Sequence, residues 1–141
     1  MNKEKIFLKQ LEKLKFPHGR DDAGNIVFQT GAKTYVLYVE PEDKAYFRLA
    51  LPRVWKVNSL TEHFQVLEAL NQMNTRFKTV KMFVFEDHVW MVTEALLERP
   101  EQVSAVLERC LATVDAVLPY FRPTLGEVQD KYNFELNATT A

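Results

Sequence analysis

Asn25–Glu40 reads NIVFQTGAKTYVLYVE, and its meaning turns on the Gly31-Ala32 pair at its centre. Glycine reaches positive φ at no steric cost, so Gly-X between two β-branched and aromatic runs specifies a two-residue type II′ hairpin. Such a turn sets Phe28 opposite Tyr35 and Ile26 opposite Leu37. Pro41-Glu42-Asp43 then suits a short loop into a further strand, Lys44–Leu51. Closing that loop with Glu40 opposite Lys44 sets Leu37 against Phe47 and Tyr35 against Leu49. Side chains alternate between faces along a strand. Both turns therefore place Ile26, Phe28, Tyr35, Leu37, Val39, Phe47 and Leu49 on one apolar face.

On the N-terminal side, Ile6, Phe7, Leu11 and Leu14 recur at helical spacing, and Pro17 and Gly19 stop that helix. His18–Gly24 reads as a polar turn region. On the C-terminal side, Pro52 ends the third strand. Ser59 and Glu62 form an S-x-x-E capping box, in which each side chain satisfies an orphan amide of the first helical turn. Leu60, Phe64, Leu67, Leu70, Met73 and Phe77 mark the expected buried stripe of this second helix. A second hairpin, Thr79–Phe85 and His88–Leu96 around Glu86-Asp87, pairs Val84 with Val89, Met82 with Met91 and Phe83 with Trp90. Pro100 opens a third helix, with Val103, Leu107, Cys110, Leu111, Val114 and Leu118 on its apolar side and Pro119 and Pro123 at its end. The order α-βββ-α-ββ-α predicts an α+β domain over residues 1–123, an antiparallel five-stranded sheet with three helices. Residues 124–141 are weakly patterned and read as a tail, its last residues mobile.

Composition narrows the function. With 141 residues, 47% hydrophobic and 26% charged, the chain matches an ordinary globular domain. A formal net charge of −1 gives no global footprint for nucleic acid or an anionic membrane, so neither is an expected partner. The basic first helix, with Lys3, Lys5, Lys9, Lys13 and Lys15, reads as a solvated face diluted by Glu4 and Glu12. Cys110 stands alone, which rules out an internal disulfide and suits a reducing cytoplasm. Its place beside Leu107, Leu111 and Val114 predicts a buried, inert thiol. His18, His63 and His88 fall in no metal-binding spacing, and the four glycines form no phosphate loop. The cluster His18, Arg20, Asp21 and Asp22 is turn chemistry. The expectation is a binding module with no catalytic residues, cofactor or metal.

The sheet also carries apolar residues on its second face. If Ile26, Leu37, Phe47, Met82 and Met91 meet the helices, then Val36, Tyr38, Tyr46, Phe83, Phe85, Trp90 and Val92 point the other way. An antiparallel sheet with one wet face reads polar there. Something should cover it: a helix of the same chain, a dimer partner or a bound peptide. Tyr38, Tyr46, Phe83 and Trp90 are the candidate protein-binding residues, as an aromatic platform beside a sheet edge.

The pattern over Lys3–Leu118 resembles the type III secretion chaperone-like fold and, within it, the YbjN family. The resemblance is closest over Val66–Leu97. There a helix ending Leu70-Asn71-Gln72-Met73-Asn74 runs through Phe77 into Val80-Lys81-Met82-Phe83-Val84, an acidic turn and Val89-Trp90-Met91-Val92. It implies a homodimer with a surface for protein or peptide partners, since secretion chaperones of this fold bind extended segments of their clients. YbjN-like members are described as sensory-transduction regulators. Function is thus expected to be that of a chaperone-like adaptor or regulator. The alternative is a small-molecule or nucleotide sensor with an aromatic cavity between sheet and helix. The second helix and the second hairpin are the expected dimer contributors.

Overall fold

A computed structural model describes residues 2–140, the side chains at 139 and 140 excepted. In chain order the elements are α1 (Lys3–Lys13), β1 (His18–Arg20), β2 (Ile26–Thr30), β3 (Lys33–Leu37), β4 (Tyr46–Lys56), α2 (Leu60–Arg76), β5 (Val80–Phe85), β6 (His88–Leu96), α3 (Val103–Val117) and α4 (Phe121–Thr140). The strands form one antiparallel sheet in the order β1-β2-β3-β4-β6-β5. The class is α+β, as expected, with six strands rather than five.

Both two-residue hairpins form in the expected register. Phe28 faces Tyr35 and Ile26 faces Leu37 across a turn in which Gly31 takes φ +60°. Val84 faces Val89, Met82 faces Met91 and Phe83 faces Trp90. The Pro41 loop is longer than expected, so Leu37 pairs with Leu49 instead of Phe47. A shift of two residues preserves the facing of every side chain, and the apolar face is unchanged by it.

Four other expectations are corrected. His18–Arg20 is a strand, not a turn; three exposed residues carry no period-2 signal, and only pairing with β2 reveals them. Pro52 does not end its strand. β4 continues to Lys56 through an irregularity between Leu51 and Trp55, where Arg53 takes φ +55°, and a bulge is where a missing amide is tolerated. Helix α2 docks through Val66, Ala69, Leu70 and Met73, leaving Leu60, Phe64 and Leu67 exposed at 72, 55 and 42%. Residues 121–140 are helical, with Phe121, Leu125 and Val128 buried at i, i+4 and i+7. Pro123 sits in the first turn of α4, where no intrahelical amide is needed. The core therefore runs past residue 123. The expected mobility of the last residues falls partly on Ala141, outside the described residues.

All four helices contribute to one hydrophobic core, with Phe7, Leu11, Met73, Leu107, Val114 and Phe121 packed among Phe28, Tyr35, Leu37, Phe47, Leu49 and Met91. α4 is tied to α2 by Gln129 to Gln65 at 3.3 Å and by Lys131 to Glu68 at 3.5 Å. Each strand from β2 to β6 contributes alternate residues to this core. The helices lie on one side of the sheet, and the residues between form a face that none of them covers.

Candidate functional site

Register defines the uncovered face row by row. The central row is aliphatic, with Val27 opposite Val36, Val36 opposite Ala50 and Ala50 opposite Val92, and it ends at Lys81 on β5. Ala50 and Val92 are shut off from water by their neighbours, although both lie outside the main core.

On one side of this row is a polar network. Arg48 faces Glu94 across β4 and β6, and its guanidinium lies 4.6 Å from the centre of the Tyr38 ring. Tyr46 donates its hydroxyl to Glu94 Oε2, while Lys81 Nζ meets Glu94 Oε1 at 2.5 Å. On the other side is an aromatic group. Phe83 and Trp90 stack at 6.4 Å and 14°, and Phe85 meets Trp90 edge-on at 6.0 Å and 88°. Phe85 is 52% exposed, and it shares a hollow of about 120 Å³ with Arg53, Glu86, His88 and Trp90.

The four candidate residues thus share one face but not one cluster. Phe83 and Trp90 stand together at the β5 edge. Tyr38 and Tyr46 lie across the aliphatic row, bound into the Arg48–Glu94 network. All four are half-buried, and none belongs to the main core or packs against it.

Two side-chain-to-backbone contacts escaped sequence reasoning. Asn74, near the end of α2, spans the outer edge of β5. Its carboxamide oxygen accepts from Met82 N–H at 2.8 Å, and its Nδ2 donates to Met82 C=O at 3.0 Å. A single side chain thereby imitates the peptide unit of a neighbouring strand. The available signal is the Asn-containing helix end, whose spacing to β5 is short. Lys3, expected to be solvated, is buried, and its ammonium donates to the carbonyls of Asp43 at 2.9 Å and Tyr46 at 2.7 Å. Burial lowers its pKa, with Glu40 and Asp43 opposing the shift.

Elsewhere the site chemistry is sparse. A cavity of about 540 Å³ opens at the start of α1, lined by Asn2, Lys3, Glu4, Val39, Pro41, Lys44 and Pro100, with no aromatic ring. The aromatic cavity of the sensor alternative has no counterpart there. Cys110 is buried, and burial pushes its thiol pKa up. Among the described residues, no group of three or more His, Cys, Asp or Glu side chains is placed to hold a metal ion. Nor is any helix long and apolar enough to cross a membrane.

Comparison with known proteins gives two findings. The family described as "T3SS (YopN, CesT) and YbjN peptide-binding chaperone 1" matches residues 6–126. A methionine–tRNA ligase of Clostridium perfringens (strain 13 / Type A) is 27% identical over 126 residues, which cover 83% of this chain. The chain spans only 19% of that ligase's length.

Proposed function

We propose that this chain, which belongs to the T3SS (YopN, CesT) and YbjN peptide-binding chaperone 1 family, is a chaperone-like adaptor that holds an extended peptide on the helix-free face of its sheet. The observation that carries this reading is the uncovered apolar face itself. Val27 and Val36 keep part of their surface open beyond the closed Ala50–Val92 pair, and Phe83, Trp90 and the 52% exposed Phe85 continue the apolar surface on β5 and β6, with no helix over them. Apolar area removed from water contributes about 25 cal/mol per Å², so an occupant of this face is stabilised by burial alone. Phe83 and Trp90 serve as anchors for its side chains, and Tyr38 and Tyr46 border it on the far side of the row. The reading is of a binding module rather than an enzyme, working in a reducing cytoplasm, where the lone Cys110 stays a thiol.

The adaptor acts as a homodimer. Leu60, Phe64 and Leu67 recur at i, i+4 and i+7 on the outer side of α2, an apolar seam of the spacing that pairs helices. Phe64→Glu is expected to yield a monomer by light scattering. A monomeric mass for the unaltered protein at high micromolar concentration refutes the dimer.

Peptide binding is tested by probing an array of extended peptides with the unaltered chain and with Trp90→Ala. Trp90 lies outside the main core, so its truncation is expected to cost well under the roughly 3–5 kcal/mol of a core tryptophan. Capture should be lost while the fold persists. Undiminished capture by a folded Trp90→Ala protein sinks the assignment of this face.

A further inference from the structure

The charge on the uncovered face differs from that of the chain. Arg48, Lys56 and Lys81 share it by register, and Arg53 joins them in the hollow beside Trp90 and Phe85. Glu94 is the one carboxylate that the strands place there, with Glu86 at the rim of the hollow. Both oxygens of Glu94 are engaged, one by Lys81 and the other by the Tyr46 hydroxyl. Among the described residues, Arg48, Arg53 and Lys56 have no ion pair. A chain of net charge −1 therefore sets two unpaired cations, Arg53 and Lys56, beside its exposed aromatic group, with Arg48 across the aliphatic row over Tyr38.

From this complementarity, and resting on the peptide-binding reading above, we propose that the occupant is an acidic–hydrophobic peptide. It is an extended segment that alternates carboxylates with aliphatic or aromatic side chains. Alternation follows from the geometry of a strand laid on a sheet. Its apolar side chains meet the part-exposed Val36 and the Phe83, Trp90 and Phe85 group, and its carboxylates reach to Arg53 and Lys56 at the rim. Arginine offers a planar, two-pronged donor that matches a carboxylate. A single-stranded nucleic acid would also find cations and rings, but the geometry disfavours it. The Phe83 and Trp90 rings are stacked on each other, Phe85 stands edge-on to Trp90, and the remaining surface is aliphatic.

The test is fluorescence anisotropy with three labelled probes: a short peptide alternating Leu and Glu, its counterpart with Lys for Glu, and oligo(dT). An exposed ion pair shifts a binding equilibrium by about 1.4- to 5-fold, so two or three predict a preference for the acidic peptide on the order of tenfold. That preference should shrink as salt is raised and vanish in the double variant Arg53→Glu/Lys56→Glu. Both positions are exposed, and circular dichroism checks that the variant stays folded. Equal or tighter binding of the Lys peptide overturns the charge class and leaves the peptide reading intact. Binding of oligo(dT) with neither peptide bound overturns both.

Discussion

Asn74→Ala removes both bonds that close the outer edge of β5, the 2.8 Å contact to Met82 N–H and the 3.0 Å contact to Met82 C=O. A typical intramolecular hydrogen bond contributes a net 0.5–1.5 kcal/mol, so the pair contributes about 1–3 kcal/mol. Alanine favours helix over asparagine by roughly 0.5 kcal/mol, which offsets part of the loss because Asn74 lies within α2. The expected destabilisation is about 1.5 kcal/mol. With a urea m-value of roughly 2 kcal/mol/M, the unfolding midpoint falls by about 0.7 M. Amide hydrogen exchange localises the effect, since the Met82 amide should lose protection while Val92 N–H and Trp90 N–H keep theirs. The variant also bares a row of strand groups. Met82 points its N–H and C=O away from β6, and alternation turns those of Val80 and Val84 the same way. Bare edges pair with one another, so light scattering should show concentration-dependent association beyond that of the parent protein. A midpoint within 0.1 M of the parent, with the Met82 amide still protected, would show that water replaces Asn74 at no cost and refute the argument (about 0.2 kcal/mol at that m-value).

Other outcomes follow from single features. The Tyr35 hydroxyl is buried without a hydrogen-bond partner, so Tyr35→Phe should leave stability unchanged or raise it by about 1 kcal/mol in urea titration. Burial, reinforced by Asp115, raises the Tyr35 pKa, so the unfolded chain releases this proton first. Its contribution is complete below about pH 10 and is lost as pH rises further, and the Phe variant should lack that part of the alkaline fall. Glu86 and Asp87 hold φ +49° and +62° in the β5–β6 turn. Glu86→Asn with Asp87→Gly should relieve about 1 kcal/mol and raise the melting temperature by roughly 4 °C. Cys110, buried with its pKa pushed up, should react with a thiol reagent far more slowly in the native protein than in guanidinium; equal rates would place it at the surface.

What can be read from the sequence has local causes. Gly31 and the Glu86-Asp87 pair fix two turns, and a two-residue turn leaves one register, so Phe28–Tyr35 and Phe83–Trp90 follow from chemistry within a few residues. Ser59 accepts from the Glu62 amide at 3.1 Å, the first half of the expected capping box, while the Glu62 carboxylate accepts from Trp55 Nε1–H at 2.7 Å and Asn58 N–H at 3.4 Å in place of the Ser59 amide. What cannot be read is tertiary. The phase of α2 illustrates this. Leu60, Phe64 and Leu67 form as good a stripe as Val66, Ala69, Leu70 and Met73, and the choice between them depends on where α4 lies. α4 itself is masked by Pro119 and Pro123, each at a position where a helix start tolerates proline. The β3–β4 loop has no obligate geometry, so nothing local sets its length, and the pairing of Leu37 moves by two residues.

The candidate site divides the same way. Which residues share the second face is a matter of parity, and parity survives a two-residue slip. Alternation along the strands is therefore enough to put Tyr38, Tyr46, Phe83 and Trp90 on one surface. Their separation into a ring cluster and a charged network is not legible in that way. It depends on Arg48 reaching Tyr38 and on Glu94 being shared by Tyr46 and Lys81 across strands distant in sequence. The two uncovered apolar surfaces also belong to different layers. The α2 seam lies on the outside of the helical layer, and the aromatic group lies on the opposite side of the sheet. Under the proposed arrangement, dimerisation through α2 therefore leaves both peptide faces open, and a dimer can hold two segments of a client at once. This yields a sharp contrast. Phe64→Glu should abolish the dimer without weakening binding of a single short peptide, whereas Trp90→Ala should weaken peptide binding without dissociating the dimer. If either substitution disturbs both properties in a folded protein, the two surfaces are one, and the division of labour drawn from their placement fails.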